Sequence, residues 1–168
     1  MAGMTWEREL LLERLDGCRR HILEQLEGLS DDDLRRPVLP SGWTCLGLVR
    51  HLTLSDERYW FETVMAGGDL AYWPEGPNAD WVVGADEQSD SVLAAYGDAV
   101  DASNALVAEL SLDTPPARPE GWWSSAGLRF PDLRSVIMHM IVETATHAGH
   151  LDAARELLDG RQHIVLDS

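Results

Sequence analysis

The chain has 168 residues, with 29 acidic against 13 basic side chains and a formal net charge of −16. A domain of this length can bury a core without disulfide or metal staples, so a single domain over 1–168 is expected. The acidic excess disfavours nucleic acid and anionic membrane as partners; no apolar run follows a basic leader or is long enough to span a bilayer, and a soluble, cytoplasmic protein is the expectation.

From Trp6 the apolar residues Leu11, Leu15, Cys18, Ile22, Leu26 and Leu29 recur every three or four positions, which predicts a first amphipathic helix. Ser30 and Asp33 have capping-box spacing with acids in the first turn, so a short helical turn precedes Pro37. After the loop containing Pro37, Pro40, Ser41 and Gly42, a proline-free stretch from about Thr44 to Gly67 reads as a second helix. Leu48, Leu52, Tyr59 and Thr63 share one face of it with Val49 and Trp60 beside them, and His51 lies roughly 60° from Leu48, at the edge of the buried arc.

Residues 67–86 have no sustained period and are too many for a plain bundle connection, so they read as a wall over a site. Val92, Leu93, Tyr96, Val100, Ser103, Leu106, Val107 and Leu110 mark a third helix. A second irregular segment, 113–131, carries Trp122 and Trp123, which cover a bundle end or contact a ligand, with packing expected of at least one. The final helix runs from about Asp132 to Asp159 and is closed by Gly160 in the C′ position, with QHIVLDS as a short irregular tail. Four amphipathic segments without an alternating strand pattern predict an all-α four-helix bundle with two long irregular connections.

No phosphate-cradling glycine loop, HExxH, nucleophile elbow or CxxC is present. Cys18 and Cys45 occupy apolar positions and read as small core residues. The chemistry concentrates in HMIVETATHAGH, His139 to His150, where three histidines and Glu143 share one stripe of the last helix. Glu143 and His147 lie nearest its buried side, one turn and about 6 Å apart along the axis, within reach of a common metal ion. His139 with Glu143, or His147 with His150, has similar spacing, and each histidine alone reads more simply as a boundary residue. A carboxylate beside an imidazole at a core boundary favours a metal, since buried carboxylates are paired or metal-bound. One helix cannot close such a site, so a third ligand must come from elsewhere.

The segment SGWTCLGLVRHLTLSDERYWF, followed much later by LRSVIMHMIVETATHAGHLDAARELLDG, resembles the DinB-like superfamily, in its branch of short bacterial proteins, over nearly the whole chain. The resemblance implies a four-helix bundle holding a divalent metal through a histidine of the second helix and two ligands one turn apart on the last. Transferred to this sequence, the ligands are His51, Glu143 and His147, the glutamate form found in mycothiol-dependent maleylpyruvate isomerases. Those isomerases extend into a second domain, whereas this sequence closes after the fourth helix, which turns the expectation from isomerisation toward thiol transfer.

Two imidazoles and a carboxylate form a zinc-type site with open positions, and iron(II), nickel or manganese suits the same ligands. The implied function is activation of a low-molecular-weight thiol, mycothiol or bacillithiol, for attack on an epoxide, halide or activated alkene. His150 is then a candidate proton carrier and Arg58 a candidate for a substrate carboxylate, against the plainer roles of a rim histidine and a surface ion pair. The alternative is a stress-related metal- or ligand-binding bundle without turnover. Several candidate exposed tryptophans leave a homodimer through helix faces open.

Overall fold

In the computed structural model, which describes residues 2–163, helix α1 (Ala2–Leu26) ends where Gly28 takes a left-handed φ of 78°. Leu29, predicted as the last apolar residue of that helix, packs instead from the turn beyond it. The short α2 (Asp31–Arg35) starts as its sequence requires, with the Asp33 N–H donating to Ser30 Oγ at 3.1 Å. Helix α3 (Cys45–His51) begins after Thr44, whose hydroxyl accepts the Gly47 N–H at 3.0 Å.

From Leu52 the predicted second helix departs from ideal winding. It continues to Met65 as a π-helix, each turn closing on the fifth residue rather than the fourth. The wider turn lets the neighbours Asp56 and Glu57 both face inward, together with Trp60, Phe61, Val64 and Met65, while Tyr59 stays half-buried. His51 is the last residue of ordinary α winding.

Helix α4 (Ser89–Glu109), the four-residue α5 (Trp122–Ser125) and α6 (Leu133–Asp159) complete the bundle, and no strand occurs among the described residues. α6 is fastened at both ends. Asp132 and Ser135 form a capping box at its start, and Gly160, with φ 80°, closes it. Near the C-terminal end the buried Arg155 donates to the carbonyls of Gln25 and Glu27 at 2.7 and 2.8 Å, satisfying backbone acceptors left open where α1 ends. Near the start, Arg134 pairs with Glu7 and Asp113.

The core has two lobes. Leu15, Phe61, Val64, Ile137 and Met140 fill one, which Trp60, Trp123 and Phe130 close, while Ile22, Leu46, Leu48, Leu52, Tyr96 and Leu151 fill the other. Trp123 thus takes the packing role expected of one tryptophan in the second connection, and Trp122 remains exposed. Between the lobes Arg19 grips Glu57 with two hydrogen bonds, 2.8 and 2.6 Å, both side chains being almost fully buried. Among the described residues no helix is long and apolar enough to cross a membrane. Residues 164–168 of the expected irregular tail lie outside the described residues.

Candidate metal centre

The connection 67–86 forms the wall predicted for it. A single 3-10 turn, Ala79–Trp81, rests against α3, and glycine at position 47 permits the approach: a Cβ there would lie 2.4 Å from the Trp81 carbonyl oxygen. Two side chains of this turn engage His51. Asp80, which is buried, accepts the His51 Nδ1–H at 2.6 Å, and the Trp81 indole stacks on the imidazole with ring centroids 4.1 Å apart. The hydrogen bond fixes the tautomer and leaves His51 Nε2 as the free donor atom.

Across the pocket α6 presents His147, whose ring centroid lies 5.1 Å from that of His51, in an edge-to-face arrangement. Its Nδ1 is buried and has no hydrogen-bond partner. Burial, reinforced by His51 and His150, pushes the His147 pKa down to about 4, so the ring is neutral at pH 7 with a lone pair available. Glu143, one turn earlier, points its Oε1 toward His139 Nδ1 at 3.8 Å. His51 and His147 therefore face each other with Glu143 one turn earlier on α6, and the three donor atoms do not all lie within 4.8 Å of one another.

A third acid lies close by. Asp56, in the π-helix, is 4 % exposed, and its Oδ2 has no partner. Burial, and then the nearby carboxylates of Glu143, Glu57 and Asp80, raise its pKa well above the usual carboxylate range. Two imidazoles, several acids and two orphaned buried polar atoms are a donor set that a divalent cation fits: it would satisfy the orphans and offset the gathered negative charge.

The other predicted residues lie around this pocket or away from it. His150 is exposed at the rim, 5.7 Å from the His147 ring and 6.4 Å from that of Trp43. His139 packs edge-on against Trp60, with centroids 4.6 Å apart, and serves the core. Arg58 donates to Glu62 at 2.8 Å and covers the Tyr72 ring at 3.8 Å, on a hollow between the π-helix and α4 that holds none of the pocket's histidines. Beside the histidines, a cleft of about 490 Å³ opens between Trp43 and Trp81, with Gly42, Thr44, Asn78 and Val83 on its walls. That volume suits a small organic molecule.

Sequence reasoning missed Asp80, Trp81 and Asp56. The only signal for the first two was the length of the aperiodic connection; the third falls about 80° from Leu48 on an α wheel, within the predicted apolar stripe, where an acid is not expected. The chain's own thiols are poor nucleophiles, since burial drives the Cys45 pKa up to about 11 and raises that of Cys18 as well. A thiol reaction here needs a thiol from outside. A family model described as mycothiol-S-transferase matches residues 10–160. No curated protein and no solved structure matches the sequence.

Proposed function

Because the chain belongs to the mycothiol-S-transferase family, within the DinB-like superfamily, we propose that it joins the sulfur of mycothiol, or of a closely similar thiol, to a small electrophile at the His51–His147 pocket. The observation that carries this reading is the facing pair of histidines, His51 and His147, beside orphaned Asp56 Oδ2 and His147 Nδ1. His51, Glu143 and His147 would hold a divalent cation, zinc first among the candidates, and the chemistry it would supply is a lowered thiol pKa, with thiolate at neutral pH.

The protein's residues do the rest. Asp80 holds His51 in one tautomer and one orientation. Trp81 covers the imidazole and keeps bulk water from that face. Glu143 turns from His139 toward the histidine pair, a movement its half-exposed side chain allows. The cleft between Trp43 and Trp81 receives the organic parts of the reactants. In the reaction the thiol sulfur forms a bond to carbon as an epoxide C–O bond, a carbon–halogen bond or an alkene π bond breaks. The thiol proton passes to the new alkoxide, to solvent with the departing halide, or to the adjacent carbon. His150, exposed at the rim, stands where it can carry that proton to water.

The test is to incubate zinc-loaded protein with mycothiol and a panel of epoxides, aryl halides and activated alkenes, and to look for the sulfur conjugate by mass spectrometry. Conjugate above the uncatalysed rate is expected with at least one class; zinc-loaded protein that accelerates none of them overturns the transferase reading. Asp80→Asn is expected to lower zinc affinity or activity about 10–100-fold, the usual cost of removing the carboxylate behind a ligating histidine. Competition with a chromogenic chelator measures the affinity, and unchanged zinc binding together with unchanged activity would remove Asp80 from the site.

A further inference from the structure

Five residues beyond His147, and so about 140° around α6, Asp152 points away from the histidine pocket, toward α1. Its Oδ1 lies 2.7 Å from His21 Nε2. His163, in the segment after α6, lays its ring on that of His21, with centroids 3.7 Å apart and planes inclined by 22°. The side-chain amide of Gln25 lies 3.0 Å from His163 Nδ1 and fixes the ring by that edge. Among the described residues, His21, Asp152 and His163 are the His, Cys, Asp and Glu group whose donor atoms all fall within 4.8 Å of one another.

Stacking and one hydrogen bond do not use up what this arrangement offers. Two imidazole nitrogens bound to one tetrahedral ion at about 2.0–2.1 Å stand roughly 3.4 Å apart. Rings stacked at 3.7 Å hold nitrogens near that separation, and one ring tilts out of the stack to bring both in-plane lone pairs onto the ion. The proton shared by His21 and Asp152 marks a position where an imidazole nitrogen and a carboxylate oxygen already converge. With the Gln25 amide oxygen turned toward Nδ1–H, His163 keeps Nε2 as its donor atom; amide O and N are exchangeable by a simple flip. All three side chains are half-buried, so water can complete the coordination.

The geometry points to a second divalent-cation site at His21, Asp152 and His163, separate from the pocket of His51 and His147. Imidazole and carboxylate ligands select first-row transition metals such as zinc, nickel or copper(II). The three ligands come from α1, α6 and the segment after α6, so the ion clasps that segment across the α1–α6 seam and leaves the pocket on the far side of α6 untouched.

Equilibrium dialysis of the full chain against excess zinc, with bound metal counted by mass spectrometry, tests the assignment. His163→Ala and Asp152→Asn are each expected to bind one equivalent fewer than wild type. His147→Ala is expected to keep the clasp equivalent, and His147→Ala with His163→Ala to bind none. Trypsin provides a readout independent of stoichiometry: zinc should slow cleavage after Arg161 in wild type and in His147→Ala, but not in His163→Ala. Equal zinc in wild type, His163→Ala and Asp152→Asn overturns the clasp, whatever His147→Ala does. Loss of all bound zinc in His163→Ala supports the clasp and counts instead against a metal in the histidine pocket.

Discussion

His147→Ala is expected to lose the pocket zinc and to lower conjugate formation by more than the about 10–100-fold that follows loss of a partner behind a ligand. The ring is half-buried, neutral and faces His51, so no other side chain of α6 can take its place; His150, the nearest candidate, is exposed at the rim. The effect on the bare fold should be small, because His147 Nδ1 makes no hydrogen bond and its removal eliminates an unsatisfied buried atom. The metal-free variant should thus melt close to metal-free wild type, while the extra stability that zinc gives wild type through the pocket is absent. His150→Ala, by contrast, should retain zinc within a few-fold. Wild-type zinc content and conjugation rate in His147→Ala would remove the residue from the site.

Glu57→Ala should destabilise the fold strongly. The substitution leaves the buried Arg19 without its two-pronged partner, holding only Asp16 and Asn104. Breaking a buried ion pair from one side costs about 3–5 kcal/mol. In a domain of this size each kcal/mol moves the melting temperature by about 2–4 °C, so a fall of roughly 6–20 °C is expected in a thermal scan. Replacing both partners, as Arg19→Met with Glu57→Leu, should recover most of the loss, since an apolar pair of similar volume leaves no stranded charge. A single variant within 1 kcal/mol of wild type, measured by urea unfolding, would contradict this account.

The bundle was readable because its signals are local. Thr44, Ser30, Asp132 and Gly160 cap helices in the structure within a residue of where their types and spacings place them. The stripe that carries Glu143 and His147 follows from α6 being an ordinary α-helix. His51 came from likeness to a family, since its edge position on a wheel does not distinguish it from any boundary histidine. Asp56 falls about 80° from Leu48 on an α wheel, inside the predicted stripe, and was passed over for its charge; Glu57, near 180° on that wheel, is the acid that the π winding adds to the buried side. Asp80 and Trp81 belong to a segment with no period, and their partner His51 is some thirty residues away. A far larger separation, 131 residues from His21 to Asp152, concealed the group of His21, Asp152 and His163, which meet only after α1 and α6 have packed together.

Helix α6, clamped by its capping box at one end and by Arg155 at the other, behaves as a beam supported at both ends, with Glu143 and His147 near mid-span. Such a beam gives little when a bulky thiol arrives. The compliant partner is the opposite wall, held against α3 by one hydrogen bond, one stacked ring and the space that Gly47 leaves open. What yields at this pocket is therefore the turn of Asp80 and Trp81 rather than α6.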